Sequence, residues 1–206
     1  MISNEKTILE FAELIGMENG VFQIYLCQRS KYKDEIKSKH IRTEICNHVQ
    51  PEKLIKIIKS LEPFIDHPEA SVLYCTTNPR CSKKALRKFI SQLTTTIFDD
   101  NQDFMDNIDR EWSSTLMASK GKHKFTTIDI DDASLYNDIH KIFEENKVSY
   151  HKVVTKNGYH LLFENNTIIP KLLKFNQHIG DIACPIPGTL QGGTEVKLSS
   201  LSLHTA

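Results

Sequence analysis

The segment Thr126-Thr127-Ile128-Asp129-Ile130-Asp131-Asp132 sets two carboxylates two residues apart in an otherwise apolar, β-type run. Side chains alternate along a strand, so Asp129 and Asp131 share one face and Ile128 and Ile130 point to the other, toward a core. Same-face neighbours lie about 7 Å apart, and two carboxylates at that spacing repel each other and gain nothing from burial. A hard cation such as Mg²⁺ or Mn²⁺ relieves the repulsion. Paired carboxylates holding such ions serve many nucleotidyl and phosphoryl transfers. The plain alternative is a solvated strand end, with Asp132 and Ser134 forming a helix-cap cluster.

A second group follows in Lys156-Asn157-Gly158-Tyr159-His160. His160 shares a strand face with Leu162 and Glu164. Its ring can donate an N–H to a phosphate, Gly158 lets the backbone come close to a ligand, and Lys156 adds a point charge. An ordinary half-buried strand histidine is the competing account. Asn157-Gly158 between two apolar runs predicts a hairpin whose two turn residues take positive φ.

Arg80, Lys83, Lys84, Arg87 and Lys88 form a basic stretch without an acid, and Arg29, Lys31, Lys33, Lys37, Lys39 and Arg42 form a second cluster. The first could contact phosphates, helped by a helix N-terminus; a solvated helix face is the alternative. Arg80 stands out because the Asn78-Pro79-Arg80 turn fixes it at a strand end. The glycines of 187–194 are followed by no lysine of a phosphate-binding P-loop.

The elements that must position these groups are readable from periodicity. Ile8, Phe11, Ala12 and Ile15 mark one helix, and Pro51 opens another through Leu61. Strands are predicted at 21–27, 71–77, 125–131, 148–155 and 159–163, with 28–42 as an exposed loop or ribbon. Further helices start at Ser82, read as a cap, run through Trp112–Met117, span 134–145, and begin at Pro170. Two short strands are expected near 194–198 and 201–205. The order predicts an α+β fold, with a mixed, largely antiparallel sheet and helices packed on one face. One domain is expected over 1–206, with 1–70 as an N-terminal lobe or sheet extension and 71–206 as the motif-bearing core.

Composition narrows the function classes. Lys plus Arg number 26 against 26 Asp plus Glu in 206 residues, which argues against coating nucleic acid by bulk charge and leaves room for a local basic groove. The five cysteines contain no CxxC pair, which disfavours a disulfide framework or a Cys-rich zinc site. No apolar run approaches the roughly 18 residues of a membrane span, and the start lacks a secretory layout. A cytoplasmic protein without membrane partners is expected.

TIDID followed by VVTKNGYHLLF resembles the archaeo-eukaryotic primase superfamily, which includes the primase-polymerases of viruses and plasmids. Asp129 and Asp131 match its hhhDxD/E motif and His160 its sxH motif, with Gly158 where a small hydroxyl residue is usual. Asn78-Pro79-Arg80 fits the layout of small phage-type relatives. The likeness covers roughly 71–200 and includes the 187–194 loop, similar to a PGSLHG-type loop. It implies an RRM-like core, template-directed nucleotidyl transfer with Mg²⁺ or Mn²⁺, nucleoside triphosphates and a DNA or RNA template as partners, and a helicase or other replication protein nearby. Asp129, Asp131 and a third acid would be catalytic metal ligands, the third being Asp181 or, alternatively, Glu195. His160, Lys156, Gly158 and Arg80 would bind nucleotide. A catalytically inactive nucleotide- or nucleic-acid-binding protein of the same fold, or a metal-dependent nuclease, stands as the alternative. For a viral chain the location would be the host cytoplasm.

Overall fold

The computed structural model describes residues 1–99, 102–164 and 166–201. In chain order its elements are α1 (Glu5–Ile15), β1 (Val21–Gln28), β2 (Lys39–Asn47), α2 (Pro51–Leu61), β3 (Ser71–Cys75), α3 (Ser82–Phe98), α4 (Gln102–Asp106) and α5 (Ile108–Ala118). Then follow β4 (Thr126–Ile130), α6 (Tyr136–Glu145), β5 (Tyr150–Val154), β6 (Tyr159–Phe163), α7 (Ile169–Leu172), β7 (His178–Gly180), β8 (Cys184–Pro185), β9 (Leu190–Gln191), β10 (Thr194–Glu195) and β11 (Lys197–Leu201). The class is α+β, with antiparallel sheets and helices packed on them.

Local chemistry sets the helix ends. The Asn4 side chain accepts from the Thr7 N–H at the start of α1, and Gly16, at φ 69°, closes it. Pro51 opens α2, which buries Leu54, Ile58 and Leu61. At α3 the expected cap is displaced. Ser82 is the first helical residue, Cys81 precedes it, and no side chain caps the turn.

Two main sheets form rather than the one expected. The first has the order β2-β1-β3-β8, the second β11-β5-β6-β4-β7, and β9 pairs with β10 in a short ribbon. The end of the basic segment expected as an exposed loop or ribbon enters strand β2, which pairs along all of β1 with an irregularity between Leu26 and Cys27. Phe22, Ile24 and Leu26 of β1 join Ile8, Phe11, Leu54 and Ile58 in one apolar cluster, which also takes in Phe125, Val153, Leu162 and Val196 around the second sheet. A separate cluster, including Ile128, Ile130, Ile139, Phe143 and Leu161, fills the opposite face of that sheet under α6. The chain crosses from the second sheet to the first between β7 and β8. Of the last expected strand, residues 202–205 lie outside the described residues. Among the described residues no helix is long and apolar enough to cross a membrane.

The five cysteines are free thiols. Burial pushes Cys46 up to about 12 and holds Cys75 and Cys184 well above the usual thiol range.

The β5–β6 turn differs from the expected one. Neither Asn157 nor Gly158 takes positive φ. The Thr155 N–H donates to the Gly158 carbonyl at 2.9 Å, leaving Lys156 and Asn157 as the central turn residues. Gly158 is needed for room instead. A Cβ there would lie 2.0 Å from the Ile130 carbonyl oxygen and 3.2 Å from the Asp131 Cα. Gly158→Ala should therefore cost about 1–3 kcal/mol by overpacking, while Asn157→Ala should stay within about 0.5 kcal/mol. Urea unfolding of the two variants reads this directly. Equal, small losses would mean that the close approach is not needed.

Candidate functional site

Strand β4 runs between β6 and β7, and its register builds the site. Asp129 is opposite His160 on β6 and opposite His178 on β7. Val153 of β5 is opposite His160, and Leu198 of β11 is opposite Val153. Cross-strand partners share a face. One row across the sheet therefore reads Leu198, Val153, His160, Asp129, His178, passing from the apolar core to polar groups. Asp131 follows β4 on the same face, beside Gly158.

This face looks onto a cleft of about 1270 Å³, lined by Asp129, Asp131 and His160 on one side and by Arg29, Lys31 and Tyr74 of the first sheet's side on the other. The His160 Nε2 lies 3.2 Å from Asp129 Oδ1. Burial pushes the His160 pKa down, the Asp129 charge opposing and Lys31 adding to the shift. The Nδ1 of the same ring is buried without a hydrogen-bond partner. Asp131 is largely solvated and meets Lys31 Nζ at 3.3 Å. The Arg29 guanidinium lies 5.9 Å from the Tyr74 ring centroid and makes no salt bridge among the described residues. The cleft thus gathers charges of both signs: Asp129, Asp131, Glu44 and Asp109 line it together with the cationic Arg29, Lys31, Arg42 and Arg110.

The sequence-predicted residues divide. Asp129, Asp131 and His160 meet at the cleft. Asp181 does not join them. Its carboxylate is held by Arg80 in a two-pronged pair, Nη1–Oδ2 at 2.5 Å and Nη2–Oδ1 at 3.1 Å, with both side chains 1% exposed. Asn78 Nδ2 adds a bond to the same carboxylate at 2.9 Å. Arg80 is accordingly a buried counter-ion, with Nη1 also donating to the Met117 carbonyl. Lys83, Lys84, Arg87 and Lys88 lie on α3 and do not line the cleft. Glu195 sits in the β9–β10 ribbon, where it accepts from Ser3 Oγ. Lys156 Nζ donates to the Gly192 carbonyl at 2.9 Å, the Gly158 N–H donates to Thr155 Oγ1, and neither residue lines the cleft.

Sequence reasoning gave no role to Arg29, Lys31 or His178. Arg29 and Lys31 belonged to a noted basic cluster, but only the approach of the two sheets brings them opposite the carboxylates. His178 carried no sequence signal, because the β4–β7 register decides its position.

Among the described residues no trio of His, Cys, Asp or Glu stands ready to hold a metal ion. The donor set nonetheless fits Mg²⁺ or Mn²⁺ shared with a substrate. Mg²⁺ is commonly held by one or two carboxylates, with waters and substrate phosphates completing the shell, and the Asp131 carboxylate is largely solvated.

What fold and site define together is an α+β chain with a carboxylate–histidine strand pair on a cleft that Arg29 and Lys31 also line. No protein family, curated protein or solved structure matches it.

The two kinds of carboxylate should respond differently to mutation. Asp181→Asn or Arg80→Met should destabilise by about 3–5 kcal/mol, since each leaves a buried charge unpaired. Asp131→Asn removes only an exposed ion pair and should change stability by less than about 1 kcal/mol. Thermal and urea denaturation separate the two; comparable losses at both sites would contradict the assignment.

Proposed function

We propose that this chain binds a nucleoside triphosphate and a nucleic-acid template in the cleft and carries out metal-dependent nucleotidyl transfer, as the primase-like motif order suggests. The observation that carries this reading is the meeting of Asp129, Asp131 and His160 on one open sheet face, opposite Arg29 and Lys31. Asp129 and Asp131 hold the divalent ion, Mg²⁺ or Mn²⁺, with Asp181 committed elsewhere. When bound, the ion would offset phosphate charge and stabilise the departing pyrophosphate. His160 orients Asp129 through Nε2, in place of the phosphate-donor role suggested by its motif. Arg29, with its planar fork of donors, and Lys31 attract the phosphates from the facing wall. Lys31 is then shared between Asp131 and the incoming anion. A cytoplasmic setting, and a helicase or other replication protein as partner, go with this proposal.

A second reading is a nucleotide- or nucleic-acid-binding protein of the same fold without catalysis. The observation favouring it is the engagement of all three sequence-predicted acids: Asp181 with Arg80, Asp131 with Lys31, and Asp129 with His160.

Incubation with a primed template, labelled triphosphates and Mn²⁺ or Mg²⁺ distinguishes these. Extension is expected, and Asp129→Asn with Asp131→Asn should abolish it without loss of stability. Arg29→Ala should weaken triphosphate binding by about 10- to 100-fold, the loss of a hydrogen bond to a charged group. Nucleotide binding that persists in the double aspartate variant, with no extension under any metal, selects the binding protein. Degradation of the template without synthesis selects a nuclease.

A further inference from the structure

Two long stretches of the chain carry no acid: none lies between Glu69 and Asp99, and none between Glu111 and Asp129. They hold eight lysines and arginines, of which Arg80 is committed to Asp181 and Lys124 donates to the Leu14 carbonyl. Six remain: Lys83, Lys84, Arg87 and Lys88 on α3, and Lys120 and Lys122 in the segment leading from α5 to β4. All of these are exposed. Among the described residues none of them enters a salt bridge.

The fold brings the two stretches together. Helix α5 returns antiparallel along α3: Thr115 bonds Gln92, the Trp112 ring lies 5.4 Å from that of Phe89, and the Cys81 N–H donates to the Ser119 carbonyl at 2.7 Å. Arg80 and Lys120 form a β-bridge, and Lys84 Nζ reaches the Lys120 carbonyl at 3.3 Å. Lys120 therefore lies beside the first turn of α3. At 100° per residue the four α3 cations fall within an arc of about 140°. That arc separates the side holding buried Ala85 and Thr96 from the side holding exposed Leu86 and Ile90. The result is one continuous basic face, built from two segments and without a carboxylate in either.

Its charge selects the occupant. Lys83 and Arg87 form one row and Lys84 and Lys88 a second, each stepped by about 6 Å along the helix. Rows of unpaired cations suit a repeating anion, and a phosphate backbone is one. A lipid surface fits less well. Lys84 and Lys88 point about 120–160° away from Leu86 and Ile90, so one plane does not take both the charges and the exposed apolar side chains. The face is also separate from the cleft, which none of the six residues lines. The 120–124 segment enters β4 at one end, whereas Asp129 and Asp131 stand at the other, roughly 17 Å along the strand.

We propose that this face binds the sugar–phosphate backbone of nucleic acid, independently of base sequence. The inference goes beyond the cleft reading and needs neither a metal ion nor a nucleoside triphosphate.

Fluorescence anisotropy of the full chain with labelled DNA of mixed sequence, single-stranded and duplex, tests it over a salt series without divalent metal. Wild type should bind, with log affinity falling linearly against log salt as phosphate counterions are released. Lys83→Ala with Arg87→Ala, and separately Lys120→Ala with Lys122→Ala, should each weaken binding by about tenfold and lower the salt slope by about one to two. Melting temperature and triphosphate binding should stay unchanged, since the substituted side chains are exposed and outside the cleft. Failure to extend a primer, with DNA binding that both pairs of substitutions weaken, removes the cleft reading and leaves this one standing. Wild-type chain that does not bind DNA overturns the proposal, as does DNA binding unaltered in both variants. Binding of phosphatidylserine vesicles or polyglutamate in preference to DNA, lost in the same variants, also overturns it and gives the face to a membrane or an acidic protein.

Discussion

The arrangement of the two sheets depends on one buried polar knot. Asn78 accepts from the Lys124 and Phe125 N–H groups at 2.7 and 2.8 Å and donates to the Phe125 carbonyl and to Asp181. Arg80 closes on the same Asp181 and reaches the Met117 carbonyl. In three residues the chain leaving β3 is tied to the entry of β4, the exit of β7 and the end of α5. Gly20 and Gly121 make room for Pro79, where a Cβ at either position would lie within 2.6 Å of it. Breaking the Arg80–Asp181 pair would leave a buried charge unpaired, so these bonds favour one relative placement of the sheets. That placement brings Arg29 and Lys31 to face Asp129 and Asp131.

The same constraint divides the carboxylates by environment. Asp181 lies where the chain crosses between sheets, out of water and against a guanidinium. Asp129 lies at the cleft wall, flanked by His160 and His178 across the strand row, and Asp131 stands in solvent. A buried carboxylate that accepts three hydrogen bonds is committed to its partners, whereas a solvated one can exchange water for another ligand. Three acids of one chain thus occupy two environments, and the distinction follows from where the sheets meet.

Much of the fold was legible. Apolar spacing marked α1, α2 and α6, and the alternating pattern marked β4 and β6, because each of these elements buries one regular face. The common face of Asp129 and Asp131, and the nearness of His160, also followed from strand alternation and one hairpin. The turn itself was misread for a physical reason: Gly158 serves a close approach to Ile130, and a sequence does not distinguish space for a neighbour from a need for positive φ. The basic residues were likewise visible as clusters, but not sorted. Arg80 is buried, Lys83 to Lys88 ride on an outer helix, and Arg29 and Lys31 reach the cleft. The balanced formal charge conceals this segregation.

The amino-acid order alone determined the α+β class, most strand and helix positions, and the pairing of Asp129 with Asp131, since these depend on local periodicity and on contacts a few residues away. Tertiary structure alone decided that two sheets form, that Asp181 belongs to Arg80, and that His178 adjoins Asp129. Those outcomes depend on register and on residues some hundred positions apart, as with Arg80 and Asp181. Side-chain alternation says which face a residue takes, but only the packed chain says what that face meets.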